Sequence, residues 1–469
     1  MMVVRGIRLN LAPLLITSFL IIQPTMGDEV SDYLELIGIG QQQLDDLAAS
    51  AAGDEPSPIL LTLLMRAPSF PVAKLHEWQI RDAIWTDLTG AAGESRAQFY
   101  LAAGRVERVS RIRLDDDSRQ RYLFDEYYRL DCALSGEPAT PAVIFSRNVP
   151  QAWLGDGPSF ELDEPFTATA LLLRGSSGSA SDNSSDNALD EALGLATDRV
   201  HWHPDHQRQS TPVPTDFLRL ARLGVDLGQF DEVKDETRVG QRDRESFYQL
   251  LAAAARNRNA TDSAESAGED RLLETLLVDP KSQRGLQYSF VGSARRAVKV
   301  IVDDVDIVMR YEVDHYYEVT MLVDPGRLIR VVKRDEDTEG KVFNNYPITF
   351  CVPQLPEGLP TGDAINEPVE ITGWFLKLWT YKNEFMARGE TEPGQGQPLQ
   401  VAPLLIGYRV THEPPGSVAG PVSTLTMGVV FIVTLLALCG LVYRFNRSDR
   451  EFADRRRRRI ERDGVEPLD

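Results

Sequence analysis

Cysteine is scarce in this 469-residue chain, which contains only Cys132, Cys351 and Cys439. Small secreted domains that depend on disulfides carry many more cysteines, so the chain is not a disulfide scaffold. Cys439 lies within a long apolar run, which leaves at most one bridge, between Cys132 and Cys351. Whether these two pair stays open at this level, the alternative being two buried thiols that pack as small apolar side chains.

Positive charge is also in deficit, because 50 Lys and Arg residues face 70 Asp and Glu residues, a formal net charge of −20 at pH 7. A surface that neutralises phosphates needs a basic excess, so nucleic acid is not expected as a partner. The same acidity favours solubility and does not indicate a particular fold.

Catalytic signatures are missing as well. The sequence contains no Gly-x-Ser-x-Gly elbow, Walker loop, dinucleotide fingerprint, His-Glu-x-x-His or Cys-x-x-Cys motif, and it has only six histidines. We therefore expect no cofactor, and an enzyme is the less favoured class of protein.

The two ends of the chain carry different membrane signals. Arg5 and Arg8 precede a short apolar stretch and then small and polar residues, which predicts a signal peptide over 1–27. The run 422–443 contains no charged residue and is long enough to cross a bilayer as a helix. Arginines follow in 444–469, so the positive-inside rule predicts a cytoplasmic tail there. The expected location is the plasma (inner) membrane, with one helix in the lipid bilayer and the bulk of the chain in the periplasm.

The exported part resembles two copies of one unit. Matching segments occur in the same order, for example 124–130 with 313–319 and 163–166 with 366–369. The predicted division of the chain is a signal peptide (1–27), a first repeat (28–206), a linker (207–216), a second repeat (217–414), a stalk (415–421), a transmembrane helix (422–443) and a basic tail (444–469).

Each copy is predicted to begin with helices and to continue with strands. Apolar residues at helical spacing predict helices over 31–52, 216–234 and 241–256, whereas β-branched and aromatic runs predict strands over 346–352 and 369–379. The expected fold class is α+β: two tandem copies of a helical segment followed by a small antiparallel β-barrel, OB-like, or a sandwich, plus one C-terminal transmembrane helix.

Two groups of side chains offer metal-type ligands, namely His201, His203 and His206, and Asp303, Asp304 and Asp306. Alternation along a strand would place His201 and His203 on the same face, where two imidazoles can chelate one ion. The second copy has Thr411 and Glu413 at those places, so surface histidines are the favoured interpretation. The aspartates lack the spacing of a calcium loop, and a polar loop between strands is favoured for them.

Aromatic side chains supply the binding candidates. Tyr316 and Tyr317 lie on one predicted strand, and Trp374 and Trp379 lie on another. One face of each strand is expected to be core, and the other is expected either to bind a partner or to pack against the other copy.

The phrases at 244–253 and 311–319 resemble exported, single-pass membrane proteins of planctomycete-type bacteria. The resemblance lies mainly in the second copy and implies a periplasmic ectodomain, but it implies no activity and transfers no functional residue.

These observations favour a membrane-anchored envelope protein whose duplicated β modules act in binding or assembly, with a protein partner in the envelope or membrane. One alternative is a small-ligand or metal-binding module with hydrolase activity. Another is an assembly factor of a membrane complex that acts through its transmembrane helix.

Overall fold

The computed structural model describes residues 26–50, 57–88, 97–174, 192–207, 212–257, 271–326, 329–331, 341–382, 399–412, 428–429 and 431–444. The predicted stalk, almost all of the predicted signal peptide and almost all of the tail lie outside these residues. The predicted division of the chain into domains stays a prediction.

The described chain falls into two halves in which helices precede strands. The helices of the first half are α1 (Met26–Leu36), α2 (Gln41–Ser50), α3 (Pro58–Arg66), α4 (Val72–Trp78), α5 (Trp85–Leu88) and α6 (Asp116–Tyr122). Its strands are β1 (Phe99–Arg113), β2 (Glu126–Leu134), β3 (Thr140–Asn148), β4 (Ser159–Arg174), β5 (Leu193–Arg199) and β6 (His201–Trp202).

The second half repeats this order. Its helices are α7 (Thr215–Arg222), α8 (Arg244–Asn257), α9 (Leu273–Val278), α10 (Pro280–Gln283) and α11 (Val305–Tyr311). Its strands are β7 (Gln287–Ile301), β8 (His315–Val323), β9 (Ile329–Val331), β10 (Lys341–Phe343), β11 (Tyr346–Val352), β12 (Glu367–Lys382) and β13 (Leu399–His412).

Left-handed glycines interrupt two helices that the sequence predicted as continuous. The predicted helix 31–52 is α1 followed by α2, because Gly38 between them has φ +87°. The predicted helix 216–234 ends with α7, because Gly224 has φ +78° and the next amide donates back to the carbonyl of Leu220 at 3.0 Å. This arrangement satisfies the carbonyls at a helix end and favours a residue without a Cβ.

Five strands of each half form a closed ring, and in the second half β9 and β10 pair with each other as a separate two-stranded sheet. In the first half, β1-β2-β3-β5-β4 follow one another and β4 pairs again with β1, while β6 adds to β4. In the second half, β7-β8-β11-β13-β12 form a closed barrel. The neighbours β3 and β5 are parallel, as are β11 and β13, and all the other pairs in the two rings are antiparallel.

The predicted fold class was wrong in its sheets. Directions can alternate around a closed ring only if the number of strands is even, so a ring of five must contain a parallel pair. The two sheets are therefore mixed rather than antiparallel, and they are closed rings rather than the two layers of a sandwich. A helix also lies inside each strand series, α6 between β1 and β2 and α11 between β7 and β8.

The fold class was also wrong in its C-terminal transmembrane helix. Among the residues that the structure describes, no helix is long and apolar enough to cross a membrane. In the predicted span 422–443, the described residues are 428–429 and 431–443, all helical.

A helical layer joins the two rings. The largest apolar core includes Leu130 and Ile144 of the first ring, Leu250 and Leu251 of α8, and Trp374 of the second ring. A second core lies between α1–α4 and the first ring, and a third is formed largely by the second ring. Because α8 contributes to the core of both halves, the rings are packed together rather than separate on a flexible linker.

The cysteines of the two rings do not form a disulfide. Cys132 lies in β2 and Cys351 lies in β11, and both are buried with free thiols. Burial raises the pKa of each thiol well above its ordinary value. Both therefore pack as small apolar side chains, which is the alternative that the sequence left open.

Candidate functional site

A cleft of about 450 Å³ lies where α7, α8 and α11 meet. We call it the arginine cleft, and it is lined by Arg222, Leu223, Gly224, Gln249, Arg256, Arg310 and Tyr311. Three of these seven residues are arginines, in a chain whose net charge is strongly negative. The local charge of this cleft is thus unlike that of the whole molecule.

Arg310 forms the floor of the cleft and is held by carboxylates on two helices. Its Nη1 and Nη2 donate to the two oxygens of Glu245 at 2.7 and 2.9 Å, and Nε donates to Asp306 at 2.8 Å. Tyr311 Oη donates to the same Glu245 carboxylate at 2.5 Å. The paired, planar geometry locks α11 onto α8, because each donor has a fixed acceptor.

The pKa values follow from these contacts. Burial would raise the pKa of Glu245, but the hydrogen bonds from Arg310 and Tyr311 outweigh it and hold the pKa below its ordinary value. The hydrogen bond from Arg310 likewise lowers the pKa of Asp306. Burial and the neighbouring Glu245 carboxylate raise the pKa of Tyr311. At neutral pH the carboxylates of Glu245 and Asp306 are ionised and Tyr311 is protonated. These side chains therefore stabilise the packing of α11 on α8 and do not act as an acid or a base.

Arg222 and Arg256, the other two arginines of the cleft, differ from Arg310 in their contacts. Arg256 Nη2 donates to the carbonyl oxygen of Leu223, and burial lowers the pKa of Arg256. Arg222 is exposed in the last turn of α7. Within the described part of the chain, neither guanidinium forms an ion pair with a carboxylate within 4.0 Å, and Glu312 influences Arg256 only at longer range.

Two of the three predicted histidines, His201 and His203, lie at the junction of β6 with the 3₁₀ turn Leu227–Glu232. His201 Nδ1 lies 2.6 Å from Asp226 Oδ2, and the backbone amide of Trp202 donates to Asp226 Oδ1 at 2.7 Å. His203 Nδ1 lies 3.1 Å from the carbonyl oxygen of Val225. These contacts attach the end of the first half to the start of the second.

Asp226 is the buried centre of that junction. Burial would raise its pKa, but His201 and the amide of Trp202 outweigh that effect and hold the pKa below its ordinary value. His206 lies apart from the junction and is paired with Asp205 at 2.6 Å. The three predicted histidines therefore have three separate partners and do not converge on one point.

The predicted aspartate group is divided between ion pairs and solvent. Asp304 caps α11 and pairs with Arg244, and Asp306 pairs with Arg310, whereas Asp303 is exposed. Among the described residues, no group of three or more His, Cys, Asp or Glu side chains is arranged to hold a metal ion.

The four predicted aromatic residues do not form one exposed surface. Trp374 is fully buried and its ring lies 4.7 Å from that of Tyr408, so it is a core residue. Tyr316 and Trp379 are partly buried and pack against the largest core, and Tyr317 packs against the core of the second ring. The strand alternation identified the packing faces but did not identify a shared binding face.

The residues of the arginine cleft were not among those predicted from the sequence. One local signal was available, since Asp306 and Arg310 are four residues apart on a helix and therefore meet. Glu245, Arg222 and Arg256 come from α7 and α8, and no spacing in the sequence indicates that they approach α11. A buried arginine needs carboxylates, but only the fold determines which ones.

No protein-family model matches the chain, and no curated protein matches it. The solved structures with matches include a small single-stranded DNA-binding protein from Streptomyces coelicolor. That match has 13% sequence identity and a TM-score of 0.15, and it covers 27% of this chain and 92% of the other. A likeness at this level carries no argument about function, and the expectation that nucleic acid is not a partner stays a prediction.

Proposed function

We propose that the chain is a non-enzymatic, extracytoplasmic binding or assembly protein whose two rings act as one unit toward a protein partner. The observation that carries the proposal is an exposed apolar face on α11. Val305 and Met309, one helical turn apart, are 69% and 77% exposed, whereas Ile307 on the opposite side is fully buried. Large apolar side chains kept together in water are typical of a protein-contact surface.

The ion network beneath α11 supports this proposal. Arg244 pairs with Asp304 at the start of the helix, and Arg310 pairs with Glu245 at its end. Because the helix is held at both ends, Val305 and Met309 are presented in a fixed geometry. Binding of a partner to them therefore costs little ordering entropy.

We interpret the two rings as copies of one duplicated unit. Gly104 in β1 and Gly292 in β7 each lie so close to the neighbouring strand that a Cβ would meet a backbone oxygen, at 2.1 and 2.3 Å. Each strand has a register shift a little further along. The helix that follows is capped by Asp115 in the first ring and by Asp304 in the second. These correspondences support duplication because packing does not require them to recur in the same order.

The extracytoplasmic location is proposed on the charge and hydropathy pattern of residues 1–27. Expression in a bacterial host, followed by fractionation and N-terminal sequencing, tests it. A mature chain that begins after residue 27 in the exported fraction is the expected result, and an unprocessed chain in the cytoplasm would refute it.

Site-specific photo-crosslinking tests the contact face. A photoreactive amino acid at Met309 is expected to give a discrete adduct in native envelopes, and the double substitution Val305→Ser, Met309→Ser is expected to remove the same partner from a pull-down. Val278, which is 83% exposed at the end of α9, is the matched control position. Equal adducts from positions 309 and 278, or an unchanged pull-down with the double substitution in a folded protein, would count against the proposal.

A further inference from the structure

The arginine cleft has the dimensions of a small-molecule site. Its volume of about 450 Å³ lies within the range of roughly 300–1,000 Å³ that is typical of ligand pockets. It differs in chemistry from the apolar face of α11, because four of its seven lining residues are arginine or glutamine.

The charge of the lining is incompletely balanced. Glu245 and Asp306 neutralise Arg310, but no carboxylate in the described chain pairs with Arg222 or Arg256. Elsewhere in the described chain, many arginines are paired, as the acidic composition favours. Two guanidinium groups that lack a carboxylate partner and line the same concave surface have the donor set that recognises a tetrahedral oxyanion.

One of the two recognising donors is also held in place before a ligand arrives. Arg256 is anchored by the carbonyl of Leu223, and the side-chain oxygen of Gln249 accepts from the backbone amide of Asp226 at 2.9 Å. A preorganised donor such as Arg256 loses little freedom on binding, which favours a specific site over diffuse attraction.

We infer that the arginine cleft binds a small ligand through a phosphate group, with Arg222 and Arg256 as the recognising side chains and Arg310 as the fixed floor. The cleft is larger than one phosphate requires, so the ligand is a phosphate ester with an organic part that contacts Leu223 and Tyr311. This inference is independent of the protein-contact face, and either can fail without the other.

Calorimetric titration of the full chain with inorganic phosphate tests the inference, with acetate at equal ionic strength as the reference anion. Saturable binding of phosphate and not of acetate is expected. Arg222→Gln is expected to weaken phosphate binding by about tenfold, because a charge-assisted hydrogen bond is lost. Arg295→Gln, which removes the same charge from an exposed position on β7, is expected to stay within about twofold of the unchanged protein.

Arg222→Lys keeps the charge but removes the forked donor, so an intermediate loss is expected. Arg222 is exposed, and circular dichroism checks that its variants remain folded. Absence of saturable phosphate binding by the unchanged chain would overturn the inference. Equal losses in Arg222→Gln and Arg295→Gln would also overturn it, because they would indicate a response to overall charge rather than a site.

Discussion

We predict that the buried ion pair between Lys377 and Asp243 contributes strongly to the free energy of unfolding. Lys377 lies in β12 and is 0% exposed, and its Nζ donates to Asp243 Oδ2 at 2.9 Å and to Thr237 Oγ1 at 2.8 Å. Asp243 precedes α8 and is 3% exposed. The pair therefore joins the second ring to the helical layer that both rings share.

Lys377→Met leaves the Asp243 carboxylate buried without its cation. Oδ2 keeps the backbone amide of Gly240 at 3.0 Å, but Oδ1 has no hydrogen-bond partner in the described structure. Removing one member of a buried pair costs about 3–5 kcal/mol of unfolding free energy, mostly through the charge that is left behind. The double substitution Lys377→Met, Asp243→Asn removes that charge as well and is expected to recover about 2 kcal/mol.

Urea unfolding at pH 7, followed by tryptophan fluorescence and circular dichroism, measures these differences. Lys299→Met is the matched control, because Lys299 is exposed on β7, and its effect is expected to stay within about 0.5 kcal/mol. An equal cost for Lys377→Met and Lys299→Met would contradict a stabilising role for the buried pair. A double substitution no more stable than the single one would show that the cost comes from packing and not from the unpaired charge.

The other predictions concern the strand contacts and the acid response. Gly104→Ala and Gly292→Ala are each expected to cost more than about 2 kcal/mol of unfolding free energy, because the new methyl meets the backbone of the next strand. Gly240→Ala has more space and should cost less in the same urea titration, and equal costs would contradict the close approach. The pKa of Glu245 is depressed when folded, so its contribution is present above about pH 4.3 and is lost as the pH falls through its folded pKa. Glu245→Gln should therefore flatten the loss of stability in acid, and an unchanged acid limb would refute the role assigned to its pairing with Arg310.

Local patterns predicted several elements well. The strand expected over 346–352 is β11, and the strand expected over 369–379 lies within β12. The helix expected over 241–256 corresponds to α8, which spans Arg244–Asn257. Each depends on the periodicity of adjacent residues, and neighbouring residues alone determine which face of an element is apolar.

The errors arose where a property belongs to the ring or to the contact between elements. Antiparallel pairing was predicted from the pattern of each strand alone. A closed ring of five strands must nevertheless contain a parallel pair, whatever the sequence of each strand. The role of the aromatic residues also depends on contacts between elements. The sequence left open whether they bind a partner or pack against the other copy, and Trp374 is fully buried in the core that both halves share.

The composition and the periodic apolar positions were determined by the sequence itself, because they depend on residues within a few positions of one another. The partners of Arg310, the burial of Lys377 with Asp243 and the assembly of the arginine cleft were decided only by tertiary structure. Their members lie on different helices and strands, and the free energy of desolvating a charge depends on which groups packing brings within hydrogen-bond distance.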